Sequence, residues 1–63
     1  MKLHKTQITK LCNRHGVSKF QVEKFFVNLS GNKETDLAAI DGLTLRLSTK
    51  RAIKDGLDIV YNN

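Results

Sequence analysis

Cys12 and His15 carry the most reactive side chains of this sequence, and they stand three residues apart, one turn of a helix. A thiolate and an imidazole at this spacing supply two of the four ligands that a structural zinc ion needs. The only other soft ligand is His4, since the chain has one cysteine and two histidines. A cysteine nucleophile would need a pocket and an orienting third group. We therefore expect Cys12 to be a buried core residue, and we expect no catalytic site, metal or cofactor.

The length and composition limit the classes of function open to the chain. Its 63 residues make one domain, 1–63, with a core small enough that oligomerisation would help it. They leave no room for a substrate cleft and its scaffold, so we predict that the protein is not an enzyme. One cysteine forms no internal disulfide, no stretch reaches the ~20 apolar residues of a membrane span, and residues 1–7 lack the apolar run of a signal peptide. A cytoplasmic location is the resulting expectation, with no membrane partner.

The net charge of +5 is concentrated in one half of this basic protein. Residues 1–33 hold seven basic residues and one acidic residue, a net charge of +6, whereas residues 34–63 hold four and five, a net charge of −1. Clustered lysines release condensed counterions from nucleic-acid phosphates, so a basic face is typical of DNA-binding proteins. Charge alone would fit a solvated basic surface equally well.

Residues 6–29 have the spacing of two helices joined by a tight turn. The first helix is predicted from about Thr6 to His15. Four residues at positions i, i+3, i+4 and i+7 would lie on one face of this helix: Ile8, Leu11, Cys12 and His15. Gly16 should end this helix, because glycine adopts positive φ without a Cβ penalty.

A second helix is predicted over about 19–29. Ser18 and Gln21 match a capping box, in which each side chain accepts from the other's backbone N–H. Val17 and Val22 are placed as a hydrophobic staple around the cap. The buried stripe of this helix is predicted to consist of four side chains: Val22, Phe25, Phe26 and Leu29.

The remainder of the chain allows two architectures. Thr35 is predicted to cap a short helix over 36–40 that ends at Asp41-Gly42, after a loop over 28–34. Residues 43–47 alternate like a strand, and residues 48–61 have the apolar spacing of a helix capped by Ser48 or Thr49, weakened by ~1 kcal/mol at Gly56. The first architecture is an all-α domain of three to four helices. The alternative is a winged helix with a β-hairpin of 43–47 and 57–61, which would need an unusually long hairpin loop.

The segment 8–26 resembles the helix-turn-helix of bacterial and phage repressors. The similarity lies in Gly16-Val17-Ser18 and Val22, which repeat the family's glycine, apolar residue, cap and second apolar residue. Cys12 departs from the small alanine usual in the family, and His15 from an apolar residue. The run 47–51 with Ile53 resembles, more weakly, the opening of the third helix in lac-repressor-type headpieces, where that helix follows much sooner.

The resemblance implies a DNA-binding transcriptional regulator, of phage or mobile-element type given its size. The second helix would lie in the major groove of double-stranded DNA, and a homodimer on a palindromic site would supply the affinity. Base edges would be read from Lys19, Phe20, Gln21, Glu23 and Lys24. Phosphates would be contacted from Thr6, Lys10 and Arg14, with Ser18 as the helix cap and an additional phosphate contact.

Phe20 and Val27 lie opposite the buried stripe of the second helix when it is projected at 100° per residue. Two outward apolar side chains suit a protein partner, a dimer contact or a base-stacking platform. They support an alternative function, a small protein-binding inhibitor or adaptor. We slightly favour the simpler expectation that the C-terminal segment covers them, because so short a chain has little apolar surface to spare.

Overall fold

The structure, a computed structural model, describes residues 3–62. Within these residues the chain forms four α-helices and no strand: α1 (Lys5–His15), α2 (Lys19–Val27), α3 (Lys33–Asp41) and α4 (Leu47–Tyr61). The predicted all-α architecture is confirmed for this part of the chain, and the winged alternative is wrong. Lys2, which contributes to the predicted basic half, lies outside the described residues.

The turn between α1 and α2 has the predicted glycine geometry. Gly16 has φ 65° and ψ 40°, in the left-handed region, and the Val17 amide donates to the Cys12 carbonyl at 3.0 Å. The capping box predicted at Ser18 is wrong in its partner, because the Ser18 hydroxyl accepts from the Phe20 amide, at 3.4 Å, and not from Gln21.

The borders of α2 and α3 differ from their predictions for local reasons. α2 ends at Val27 and not at residue 29, since Asn28 has left the helical region with φ −114° and ψ 40°. α3 begins at Lys33, three residues before the predicted start, because the Asn32 side chain accepts from the Thr35 amide at 3.0 Å. Asparagine is among the best N-caps, so the predicted capping role of Thr35 is wrong. The predicted end at Asp41-Gly42 is confirmed.

α4 begins at Leu47, directly after a connection over 44–46 that has no regular secondary structure and ends in the extended N-cap residue Arg46. Neither Ser48 nor Thr49 is its cap, since both lie inside the helix. Leu45 is half-buried against the core, while Leu43 and Leu47 are exposed. Residues 43–47 therefore do not form the strand that their period-two pattern resembles: Leu43 belongs to the turn after α3 and Leu47 is the first residue of α4.

α4 is the central helix, in contact with α1, α2 and α3. Of the predicted α2 stripe, Val22 and Phe26 are buried, whereas Phe25 and Leu29 are only half-buried. A Cβ atom built on Gly56 would lie 2.3 Å from Cζ of Phe26, so glycine is what allows α4 to approach α2 this closely. The core residues come from α1, α2, α3, α4 and the start of the described chain: Leu3, Ile8, Leu11, Cys12, Val22, Phe26, Ile40, Ala52, Ile53, Leu57 and Val60.

A buried carboxylate joins α3 to the end of α4. Asp36 is 4% exposed, and its carboxylate accepts from the Tyr61 hydroxyl at 2.5 Å and from the Ser30 amide at 3.1 Å. Burial opposes the ionisation of Asp36, but these hydrogen bonds outweigh it and hold the pKa of Asp36 below its ordinary value. Donation to Asp36 in turn raises the pKa of Tyr61. Asp36 thus does more than complement the helix dipole at the start of α3, the role that its sequence position alone indicates.

Candidate nucleic-acid interface

Four cationic side chains of α1 and α2 are exposed and have no acidic neighbour in the described part of the chain. Lys10, Arg14, Lys19 and Lys24 all lie on the surface, and none has an acidic partner within 4.0 Å among residues 3–62. Two acidic residues of α4 have basic neighbours in that part of the chain: Asp58 forms an ion pair with Lys33 at 2.9 Å, and Asp55 forms a hydrogen bond with His15 at 2.6 Å. The positive charge of these four side chains is therefore available to an external anion.

The outward face of α2 carries two apolar side chains that nothing within residues 3–62 covers. Phe20 is 72% exposed and Val27 is 79% exposed. The expectation that the C-terminal segment buries them is wrong, because α4 packs on the other face of α2, against Phe26. α2 consequently presents a mixed apolar and basic surface.

Two grooves bring together part of the predicted DNA-contacting set. Ser18, Phe20 and Gln21 line a groove of about 340 Å³ between the start of α2 and the start of α4, which we call the α2–α4 groove. Phe20, Gln21 and Lys24 also line a second groove, of about 410 Å³, beside the end of α3.

The other predicted site residues lie outside these two grooves. Thr6, Lys10 and Arg14 are exposed on α1, and Lys19 is exposed in the first turn of α2. Glu23 is half-buried and lines a different groove, with Lys5 and Val27. The structure therefore groups the beginning of α2 with the α3–α4 connection and does not bring α1 into the same two grooves.

The connection into α4 supplies site residues that sequence reasoning misses. Thr44, Arg46, Ser48 and Thr49 form the second wall of the α2–α4 groove. The sequence presents Ser48 and Thr49 only as possible caps, although they belong to the run that resembles a headpiece third helix. The available signal is the mixture of hydroxyl and basic side chains over 46–51, which a solvated helix start also shows.

Cys12 and His15 have different surroundings: Cys12 lies in the core, and His15 forms a hydrogen bond with Asp55. Cys12 is 2% exposed, as expected, and burial raises the pKa of its thiol. Nε2 of His15 lies 2.6 Å from Oδ2 of Asp55, a residue near the middle of α4. Within residues 3–62 no three His, Cys, Asp or Glu side chains cluster as metal ligands would.

No helix in the described part of the chain combines the length and apolarity that crossing a membrane requires. No protein-family model, curated protein or solved structure shows significant similarity to the chain.

Proposed function

We propose that this protein is a DNA-binding transcriptional regulator of the repressor type, with α2 lying in the major groove. The observation that carries the proposal is the outer surface of α2, where Lys19 and Lys24 are exposed without acidic partners and flank an exposed Phe20. An α-helix measures about 10–12 Å across with its side chains, so α2 fits a major groove about 12 Å wide. Exposed basic side chains on that helix suit both guanine edges and phosphates.

Each side chain at the start of α2 has a base contact that suits its chemistry. Lys19 or Lys24 would donate to O6 and N7 of guanine, and Phe20 would pack on a thymine methyl group. Gln21 would pair with N6 and N7 of adenine. Gln21 is exposed, which leaves its side chain available for this contact.

The α1 residues Thr6, Lys10 and Arg14 would contact the DNA backbone. Glu23 would accept from a cytosine N4 amino group where α2 meets that base. A single reading helix covers only a few base pairs, so the regulator would bind a palindromic site as a homodimer. A phage or mobile-element regulator acting in the cytoplasm is the setting that fits this proposal.

A charge-removal experiment tests the role of α2. Lys19→Ala/Lys24→Ala should weaken binding to duplex DNA in a fluorescence-anisotropy titration and lower the salt slope by about one unit for each phosphate that a lysine neutralises. Lys54→Ala is the matched control, since Lys54 is an exposed lysine on α4. Both variants should melt like the parent in circular dichroism, because surface changes stay within about 0.5 kcal/mol. Undiminished affinity of the folded double variant would remove α2 from the interface.

The exposure of Phe20 and Val27 favours a second candidate, a protein-binding inhibitor or adaptor. An apolar interface responds little to ionic strength, whereas DNA binding weakens steeply with added salt. A Phe20→Ser/Val27→Ser variant that stays folded and keeps its DNA affinity, but loses a partner whose binding is insensitive to salt, would establish this function. Loss of DNA affinity in the same variant would instead favour base contacts by Phe20.

A further inference from the structure

We propose that the α2–α4 groove is a binding site for a phosphate group. The groove lies between the first turns of two helices of nine and fifteen residues, so the positive ends of two helix dipoles face one space of about 340 Å³. When the phosphate belongs to a DNA backbone, this inference rests on the proposed function. When it is free phosphate, it does not.

The start of α4 offers donors without acceptors. Arg46 is its N-cap residue, and the Arg46 side chain forms no capping hydrogen bond. The next backbone bond of this turn joins the Lys50 amide to the Arg46 carbonyl at 3.0 Å. The amides of Leu47, Ser48 and Thr49 donate to no acceptor among residues 3–62, which leaves three adjacent N–H groups for an external oxyanion.

Thr49 provides an independent sign of a ligand. Thr49 lines the groove although it is only 5% exposed, and its side chain takes part in none of the side-chain hydrogen bonds of residues 3–62. No side-chain oxygen or nitrogen in that part of the chain is both sealed from solvent and unpartnered. The Thr49 hydroxyl is therefore open to solvent, and the groove is the surface that Thr49 lines, so an oxyanion bound there would accept a hydrogen bond from it.

The charge and shape of the groove select a tetrahedral oxyanion. Arg46 and the hydroxyls of Ser18, Thr44 and Ser48 line it, and no carboxylate does so. Arg46 has no acidic partner within 4.0 Å among residues 3–62. A phosphate group has enough oxygens to accept from amides, a hydroxyl and a guanidinium at once, and such charge-assisted hydrogen bonds are the strong ones.

A phosphate titration followed by NMR tests the site directly. Adding inorganic phosphate at constant ionic strength, with chloride as the reference, should shift the amide signals of Ser48 and Thr49. Thr49→Val should weaken phosphate binding about fivefold, the factor for one neutral hydrogen bond. The same change should leave the melting temperature unchanged or raised, because it breaks no internal hydrogen bond. Thr35→Val, on exposed α3 surface outside the groove, is the control and should leave the titration unaltered.

A second arm of the experiment identifies the source of the phosphate. If Thr49→Val and Arg46→Ala also weaken binding to duplex DNA, and Arg46→Ala lowers the salt slope by about one unit, the occupant is a backbone phosphate. If inorganic phosphate shifts the α4 amides while both variants bind DNA like the parent, the occupant is free phosphate. Phosphate binding by a protein that binds no duplex would uphold the site and refute the proposed function. Unmoved α4 amides together with unchanged DNA affinity of both variants would overturn the site, whatever Lys19→Ala/Lys24→Ala does.

Discussion

Gly16 and Gly56 are both required by the fold, but for opposite reasons. Gly16, in the α1–α2 turn, has φ 65°, and no atom of another part of the chain lies within 4 Å of an added Cβ. Gly56 lies inside α4, and an added Cβ would meet Phe26 at 2.3 Å and Leu11 at 3.1 Å. Gly16 is needed because the backbone there has a positive φ. Gly56 is needed because side chains of other helices occupy the space where a Cβ atom would lie. The α1–α2 turn is thus determined locally, whereas the centre of α4 is determined by contacts distant in sequence.

The largest effect should come from removing the ring that Gly56 accommodates. Phe26→Ala should destabilise the protein by ~3–5 kcal/mol, because a buried ring leaves a cavity that a small core cannot close. Val27→Ala is the matched control on the next residue, and its 79% exposure predicts a change within about 0.5 kcal/mol. Urea denaturation of both variants measures the difference. Equal stabilities would mean that α2 does not pack on α4 through Phe26.

Gly56→Ala should rank second. Alanine favours a helix interior over glycine by ~1 kcal/mol, so α4 in isolation would gain stability from the change. In the folded protein the new methyl group would overlap the Phe26 ring, and overpacking of this kind costs ~1–3 kcal/mol. Thermal melts should therefore show net destabilisation, and a higher melting temperature would refute the close contact.

A double-mutant cycle separates the two opposing terms. In a Phe26→Ala background the ring is gone, so Gly56→Ala should become neutral or stabilising by up to ~1 kcal/mol. The change of sign is the feature that tests the packing argument. The same cost in both backgrounds would place the strain elsewhere in α4.

The features predicted correctly from the sequence are those that depend on neighbouring residues. The helical face of residues 8–15, the left-handed Gly16 and the end of α3 at Asp41 follow from spacing and backbone preference. The Gly56–Phe26 contact could not be predicted, because it joins residues thirty positions apart and glycine carries no signal of what surrounds it. Helix propensity accordingly presents Gly56 only as a weak point of the helix.

The candidate site likewise contains residues that could be predicted from neighbouring sequence and residues that could not. Exposed basic residues on α2 could be assigned from helical projection alone, since one face of that helix is apolar. The exposure of Phe20 could not be assigned, because it depends on which face α4 covers. Thr49 escapes sequence reasoning for a related cause, as only the packing of α4 beside the start of α2 gives its hydroxyl a groove to face.

Gly16 should rank third, and its cost should depend on the backbone and not on the space available. Gly16→Ala should cost ~1 kcal/mol, because an L-residue with a Cβ is strained at positive φ. Gly16→Asn should cost less, since asparagine tolerates the left-handed region better. At Gly56 the order should reverse, with asparagine worse than alanine because it is larger. Chemical denaturation of these four variants compares the positions, and one common order at both would contradict the distinction between them.

The smallest effects should distinguish a local contact from a distant one by their dependence on pH. Ser18→Ala removes a long cap hydrogen bond, and it should cost about 0.5 kcal/mol, at the low end for caps, at every pH. Tyr61→Phe removes the hydroxyl that donates to Asp36 across twenty-five residues of sequence.

The pKa of Asp36 in the folded protein is lowered from 3.8, so its ionised form stabilises the fold above the unfolded value, and this stability is lost as the pH falls through the folded value. The Tyr61 hydroxyl accounts for part of the lowered pKa of Asp36. The melting temperature of Tyr61→Phe should therefore lie furthest below that of the parent at neutral pH, and the difference should shrink on acidification. The deficit of Ser18→Ala should stay constant over the same series of melts. A Tyr61→Phe deficit that is independent of pH would show that the hydroxyl does not stabilise the Asp36 carboxylate, and the Lys33–Asp58 ion pair would then be the remaining charged contact between α3 and α4 within residues 3–62.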